Sequence, residues 1–169
     1  ARIQQALEEN RVELSGQLIR PTVHKPFAPH YEVLVRLRDP DGQLVPPMAF
    51  IPAAERYNLM SSIDQWVVQH ALELLAARRR KGSGEDIALA INLSGQSLGS
   101  DEVLAAIRRS IEETGAVPAS LCFEITETAA ITNLAAASRF MHQLRQWGCR
   151  FALDDFGSGL SSFGYLSNL

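Results

Sequence analysis

Apolar residues repeat with two different periods along the chain, and the change of period marks its elements. Ile3 and Leu7 stand four residues apart among charged residues, which indicates a short amphipathic helix at the start. The run YEVLVRLR carries Val33 and Val35 and favours a strand. The first half is predicted to contain a lead-in helix outside the core (1–11), two extended segments (12–23 and 31–38) and a long helix (62–80).

The second half alternates regularly between apolar runs and amphipathic stretches. The runs IALAI, LCFEI and RFAL are short and almost wholly apolar, which is typical of strands buried on both faces of a parallel sheet. Ser100 and Gly115 suit the two ends of an intervening helix, because serine caps helix N-termini and glycine caps C-termini. This order of elements predicts an α/β fold. The predicted strands are 87–91, 121–125 and 150–153, and the predicted helices are 101–114 and 133–147.

Composition narrows the class of protein. The chain has 169 residues, of which 46% are hydrophobic and 21% charged, as expected of one globular domain without an internal linker. The formal net charge of -3 argues against binding to a nucleic-acid polymer, since such binding depends on a surplus of Lys and Arg. A small substrate that bears phosphate is still compatible with this charge if metal ions bind it.

The two cysteines and the lack of long apolar runs bear on location. Cys122 and Cys149 lie among apolar, strand-like residues and lack the short spacing of a zinc site. We interpret both as reduced core residues, which favours a cytoplasmic location. No apolar run approaches the roughly 18 residues of a membrane-spanning helix, so this chain is expected to make no direct membrane contact. A longer parent protein could still be membrane-anchored through other domains.

Oxygen-bearing side chains follow the predicted strands. Asn92 comes directly after IALAI, Glu124 lies within LCFEI, Glu127 comes just after it, and Asp154 and Asp155 follow RFAL. In a barrel of parallel strands, the loops at the carboxyl ends converge on one mouth. These side chains are therefore expected to meet there.

Glu32 is the exception, because it stands at the start of EVLVR. It joins the group only if that strand runs in the opposite sense or enters the site from its beginning. Carboxylate and amide oxygens suit Mg²⁺ or Mn²⁺ better than zinc. Two such ions commonly serve phosphodiester hydrolysis, where one activates water and the other stabilises the leaving oxygen.

Structural roles are the alternative for several of these residues. An asparagine after a strand is commonly a turn or helix-cap residue, and the acid pair is compatible with an ordinary loop. Glu124 is harder to explain in this way, since an unpartnered carboxylate within an apolar strand is costly to bury. Gly157-Ser158-Gly159 suits a phosphate-binding or mobile loop, although so short a motif is weak evidence.

Seven motifs occur in order along the chain, and together they resemble one family. They are GQLIRP (16–21), YEVLVR (31–36), FIPAAE (50–55), DQWVV (64–68), INLSGQSL (91–98), FEITET (123–128) and LDDFGSGLSSFGYL (153–166). This set resembles the EAL domain of bacterial cyclic-di-GMP phosphodiesterases. Val33 replaces the alanine of the signature, so that EAL stands here as EVL.

The resemblance implies a metal site. Glu32, Asn92, Glu124 and Asp154 would bind the metal ions directly, and Asp155 would serve the second ion and the attacking water. The implied cofactor is Mg²⁺ or Mn²⁺, with two ions in the complete site.

The resemblance also implies residues for the substrate and for a loop. Gln17 and Arg36 would hold the phosphate and guanine-nucleotide groups. Glu127 would anchor the loop from Phe156 to Ser162, and it completes the implied catalytic group with Glu32 and the two aspartates.

The implied fold is a TIM-like (β/α) barrel with an antiparallel first strand, which would also account for the position of Glu32. Such a barrel needs about 250 residues. Residues 12–169 are therefore expected to be the N-terminal two-thirds of an EAL domain, preceded by a linker helix over residues 1–11. The family's catalytic lysine, a later glutamate ligand and a late glutamine would follow Leu169, so residues 1–169 alone are expected to be inactive.

The implied function is hydrolysis of cyclic di-GMP to linear pGpG in bacterial second-messenger signalling. A catalytically silent receptor for cyclic di-GMP and a dimerisation module that uses helix 133–147 are the alternatives. Retention of the full ligand set favours the enzyme. The expected partners are a second copy of the chain, as a homodimer, and an upstream GGDEF or sensor domain.

Overall fold

A computed structural model describes residues 2–22, 28–82 and 87–155 of the chain. Helices and strands alternate through most of it. The strands are β1 (Val12–Ile19), β2 (His30–Arg38), β3 (Leu44–Val45), β4 (Ala88–Asn92), β5 (Leu121–Thr126) and β6 (Arg150–Asp154). The helices are α1 (Arg2–Glu8), α2 (Pro47–Arg56), α3 (Met60–Arg80), α4 (Asp101–Thr114), α5 (Glu127–Thr132) and α6 (Leu134–Gln146), with a 3₁₀ turn at Pro118–Ser120.

The strands form one mixed sheet in the order β1-β2-β4-β5-β6, with the short β3 paired to β2. Strand β1 runs antiparallel to β2, which confirms the predicted reversal of the first strand. Strands β2, β4, β5 and β6 run parallel to one another. The predicted α/β class and parallel arrangement are confirmed.

The strand that carries Glu32 is not itself reversed. Strand β2 runs parallel to β4, so a reversed sense cannot account for the position of Glu32. The pairing of β2 with β4 covers only residues 30–33, with Glu32 beside Ala90. Glu32 is thus early in its own strand but close to the end of the ladder it shares with β4, and it enters the site from the beginning of the strand.

The core lies between one face of the sheet and the helices α3, α4 and α6. The alternate residues Leu89, Ile91, Phe123 and Ile125 pack there against the apolar stripes of these helices. Phe140, Met141 and Leu144 of α6 belong to the same core, so the apolar stripe of α6 is not a dimerisation surface.

The lead-in helix takes part in a second, smaller core. Ala6 of α1 is fully buried and clusters with Val12, Leu37 and Phe50. The expectation that this helix stays outside the core is therefore wrong. Because the side chain of Ala6 is small, helix α1 packs closely against the sheet and α2.

Three elements were missed by periodicity. Helix α2 begins with a proline at its first position, which is a recognised start signal, but Pro52 within it obscures the pattern. Helix α5 and strand β3 are too short to show a period. The caps of α4 are as predicted: Ser100 accepts a hydrogen bond from the Val103 amide, and Gly115 is left-handed with φ +64°.

Within the described ranges, no helix combines the length and apolar character needed to cross a bilayer. Cys122 and Cys149 are both buried and free, as predicted.

Candidate metal and phosphodiester site

The predicted ligands share one face of the sheet, opposite the core. Asn92 is the register partner of Glu124, Glu32 pairs with Ala90 two residues before Asn92, and Asp154 pairs with Thr126 two residues after Glu124. Paired residues point to the same side, and so do residues two apart in a strand. We call the side that carries Glu32, Asn92, Glu124 and Asp154 the polar face, and the opposite, helix-covered side the apolar face.

Glu32 and Asn92 are in direct contact across the β2–β4 ladder. The Asn92 Nδ2 group donates a hydrogen bond of 3.0 Å to Glu32 Oε1. An amide that donates through its nitrogen leaves its own oxygen free to point elsewhere, and the contact fixes the orientation of the carboxylate. The two side chains are therefore placed as neighbouring oxygen donors.

Glu124 is half-buried and lies between other carboxylates. Burial is the largest cause that raises the pKa of its carboxyl, followed by the negative charges of Glu32 and Asp154. Three carboxyl groups, on β2, β5 and β6, thus interact electrostatically. A cation placed among them would relieve this repulsion, and the oxygen donors are of the type that hard divalent ions prefer.

The acid pair stands at the end of β6. Asp154 is the last residue of the strand and is exposed. Asp155 has φ +53°, a left-handed conformation that is uncommon for residues other than glycine, and its amide donates to Asp154 Oδ1 at 2.9 Å. Such conformations cluster at functional sites because the surrounding structure must enforce them.

Glu127 lies at the first position of α5 and is fully buried. A negative charge in the first turn is favoured by the helix dipole, and Thr126 caps the same turn through a hydrogen bond from the Ala129 amide. The loop that Glu127 is expected to anchor, residues 156–162, lies outside the described residues. The Gly157-Ser158-Gly159 motif lies outside them too.

The predicted substrate residues are both on the polar face. Gln17 is the register partner of Glu32 across the β1–β2 ladder and is exposed. Arg36 follows Glu32 by four residues on the same strand, which places it about 13 Å further toward the carboxyl edge. Its Nη1 donates to the Val35 carbonyl at 3.0 Å. Both side chains border the carboxylates without lying among them.

The gathering of acids is incomplete as a ligand cage. Within residues 2–22, 28–82 and 87–155, no three Asp, Glu, His or Cys side chains are close enough to hold an ion between them. Asn92 is outside these residue types, and its side chain is in direct contact with Glu32. The donor chemistry therefore fits a divalent ion, while the carboxylates remain spread over three strands.

A buried cluster of polar side chains near Asn92 was not predicted from the sequence. Asp64 of α3 is 4% exposed and accepts hydrogen bonds from Ser94 and Ser97, in the loop that follows Asn92. The signal was present in the sequence, since Asp64, Val67 and Val68 share the helical spacing of an apolar stripe. A carboxylate on such a stripe needs partners from elsewhere in the fold.

The chain belongs to the EAL domain family, whose model matches residues 1–169. The cyclic di-GMP phosphodiesterase PdeB of Shewanella oneidensis is 41% identical over 168 residues, covering 99% of this chain and 19% of that protein. The cyclic di-GMP phosphodiesterase PdeF of Escherichia coli is 34% identical over 168 residues, covering 99% of this chain and 22% of that protein.

Solved EAL domains share the fold. The FimX EAL domain of Pseudomonas aeruginosa bound to c-di-GMP is 33% identical with a TM-score of 0.89, over 99% of this chain and 66% of that one. The PaMucR phosphodiesterase in its c-di-GMP complex is 29% identical with a TM-score of 0.87, over 99% and 67%. The chain thus shares the fold of these TIM-barrel-like EAL domains over about two-thirds of their length. It spans about a fifth of the length of the two relatives named above.

Proposed function

We propose that the chain is the metal-binding part of an EAL phosphodiesterase domain that hydrolyses cyclic di-GMP to linear pGpG. The observation that carries this proposal is the polar face, on which the four oxygen ligands Glu32, Asn92, Glu124 and Asp154 extend from neighbouring strands. The named activity of PdeB and PdeF agrees with it.

The proposed cofactor is a pair of Mg²⁺ or Mn²⁺ ions, held by Glu32, Asn92, Glu124 and Asp154, with Asp155 at the second ion. When bound, the ions supply an activated water and charge neutralisation at the leaving oxygen. The substrate carries two phosphates, so an acidic polar face without cations would repel it. Burial raises the pKa of Glu124, and the negative charges of Glu32 and Asp154 raise it further.

The protein's own groups would orient the reactants. The hydrogen bond from Asn92 holds the Glu32 carboxylate in one orientation. Asp155, fixed by its left-handed backbone next to the strand end, would receive a proton from the attacking water. Arg36 offers a planar fork of donors that matches a phosphate, and Gln17 offers an amide for a guanine edge.

The test uses the full-length protein that contains these residues. It is treated with EDTA, desalted and assayed for pGpG by chromatography after addition of Mg²⁺, Mn²⁺ or Ca²⁺. We expect turnover to be lost with EDTA, to return with Mg²⁺ or Mn²⁺, and to fall on the order of 100-fold or more in Glu124→Gln.

The matched control is Glu112→Gln, which makes the same chemical change on the exposed side of α4. It should leave turnover within about twofold, as expected for a surface substitution. Undiminished turnover in Glu124→Gln at saturating Mn²⁺ would refute the proposed site.

A receptor that binds cyclic di-GMP without cleaving it is the second candidate. It is supported by the likeness to the FimX EAL domain, whose solved structure has c-di-GMP bound. Binding of radiolabelled cyclic di-GMP without pGpG formation, in the presence of Mn²⁺, would favour this candidate over the enzyme.

We also propose that the protein acts in the cytoplasm, as a homodimer, with an upstream GGDEF or sensor domain. The small share of PdeB and PdeF that the chain covers leaves room for such domains. The burial of the apolar stripe of α6 implies that any dimer contact uses another surface.

A further inference from the structure

We propose that Asp64 and Ser97 form a buried anchor that positions Asn92 for metal binding, by holding the loop of residues 93–99 against helix α3. The inference rests on the proposed function, because Asn92 is one of its metal ligands. It assigns a positioning role to two residues that lie on different elements from Asn92.

The anchor is centred on one carboxylate oxygen. Asp64 Oδ2 accepts hydrogen bonds from the Ser94 amide (2.8 Å), the Ser94 hydroxyl (2.7 Å) and the Ser97 hydroxyl (2.6 Å). Asp64 is 4% exposed and Ser97 is fully buried. Three short hydrogen bonds to one buried carboxylate oxygen hold the loop in a single position relative to α3.

The burial of this carboxylate is costly, which is why its role calls for an explanation. Desolvation raises the pKa of Asp64, and the hydrogen bonds from Ser97 and Ser94 lower it in part. An apolar side chain would fill this position on the stripe of α3 without that penalty. What the carboxylate adds is the attachment of the loop.

A second set of contacts attaches the same loop to the start of α3. The N-cap residue of α3, Leu59, offers no side-chain cap. Instead, Gln96 of the loop accepts a hydrogen bond from the Met60 amide through Oε1 (3.3 Å) and donates through Nε2 to the Glu55 carbonyl (2.6 Å). The Ser61 hydroxyl donates to the Gln96 carbonyl (3.1 Å).

The opposite side of the loop rests on α5 and α6. A Cβ atom at Gly95 would lie 3.3 Å from the Cβ of Ala129, and one at Gly99 would lie 2.9 Å from the Cβ of Ala136. The loop is thus held between α3 on one side and two helices on the other. Position 99 requires glycine for two reasons. A Cβ atom there would lie too close to Ala136, and the backbone φ is +88°, which other residues rarely adopt.

Asn92 lies between fixed neighbours as a result. On the strand side, the Leu93 amide donates to the Glu124 carbonyl at 2.8 Å, which extends the β4–β5 ladder past Asn92. On the loop side, Ser94 is bound through both its amide and its hydroxyl. The side-chain amide of Asn92 therefore faces Glu32 and Glu124 from a backbone segment that is held on both sides.

The test compares two buried serines in the full-length protein. Ser97→Ala removes a hydrogen bond to the anchor, whereas Ser110→Ala removes a buried hydroxyl that donates only to the Ala106 carbonyl within α4. Mn²⁺ binding is measured from the spectrum of free Mn²⁺ in electron paramagnetic resonance, together with thermal melting and the kcat and KM for cyclic di-GMP.

We expect Ser97→Ala to weaken Mn²⁺ binding roughly tenfold, as for residues that orient a ligand, with a fall in kcat at low Mn²⁺. Both serine variants should lower the melting temperature by similar amounts. Ser110→Ala should nevertheless leave Mn²⁺ binding within about twofold of the wild-type value. Asp64→Asn should retain most of the affinity that Asp64→Ala loses, since an amide oxygen accepts the same donors.

Asn92→Ala separates the two ways in which the inference can fail. Lowered Mn²⁺ binding in Asn92→Ala, together with binding in Ser97→Ala equal to that of Ser110→Ala, would overturn the anchor alone. Unchanged Mn²⁺ binding in Asn92→Ala would overturn the proposed metal site and the anchor with it. Ser97→Ala decides the matter if Asp64→Ala does not fold.

Discussion

Near their carboxyl ends, strands β4 and β5 carry apolar side chains on one face and polar side chains on the other, at adjacent positions in the sequence. Ile91 and Phe123 point into the core and are fully buried, while their immediate neighbours Asn92 and Glu124 point to the polar face. The same strands therefore supply both the packing of the core and the side chains of the proposed site. A substitution changes stability or chemistry depending on which of two adjacent residues it replaces.

This separation has a cost on the polar face. The apolar face gains from burial in proportion to the area removed from water. The polar face instead holds carboxylates, and burial together with their mutual repulsion raises the pKa of Glu124. The helices on the apolar face must stabilise the sheet sufficiently to tolerate that repulsion, which is a common feature of functional sites.

Phe123→Ala should give the largest effect in free energy. The ring is fully buried in the core beneath the helices, so its removal should lower the free energy of unfolding by about 3–5 kcal/mol. Urea unfolding followed by circular dichroism measures this. A loss below about 1 kcal/mol would contradict the description of the apolar face as the stabilising one.

Asp154→Ala is the corresponding change on the polar face. Under the proposed function, turnover should fall on the order of 100-fold or more, while the unfolding free energy changes by less than about 1 kcal/mol, because Asp154 is exposed. The control is Asp41→Ala in the exposed turn after β2. The separation of the two faces would be wrong if Asp154→Ala unfolded the protein and left the rate of the folded fraction intact.

Arg36→Ala should have a smaller effect, limited to substrate binding. Removing a group that holds a phosphate in both ground and transition states should raise KM about tenfold and leave kcat nearly unchanged. Arg36→Lys should restore this only in part, since a point charge lacks the planar fork. Arg108→Ala on α4 is the control, and an unchanged KM in Arg36→Ala would assign Arg36 another role.

Cys149, in the core on the apolar face, allows a test through the pH dependence of stability. Burial raises the pKa of its thiol from 9.0 to about 11. The unfolded chain therefore loses this proton first, so the contribution of the thiol is fully present below pH 9 and is lost as pH rises toward 11. Compared with Cys149→Ala, the wild-type protein should lose about 2 kcal/mol of its advantage between pH 8 and pH 10.5.

The measurement is the unfolding free energy of both proteins in urea at the two pH values. The difference between them isolates Cys149, since every other titrating group is shared. A difference that is constant with pH would show that the thiol is accessible to water in the folded state.

The sequence by itself determined the periodic elements and indicated the residues that we propose as ligands. Strands such as LCFEI are short and apolar enough to be recognised alone, and Ser100 and Gly115 mark the ends of α4 through local backbone chemistry. The positions of Asn92 and Asp154 at strand ends, and of Glu124 within a strand, follow from the same local pattern. These features depend on neighbours in sequence, which is why they are visible in it.

Only the tertiary structure decided how these residues meet. The pairing of Glu32 with Ala90, in a strand parallel to β4, depends on the stagger between two strands that are far apart in the sequence and not on any local propensity. The attachment of the Asn92 loop to Asp64 spans about 30 residues and is satisfied only when α3 packs on the sheet. The burial of Ala6 likewise depends on α2 and β2, because a helix of seven residues has too little apolar surface to indicate its own packing.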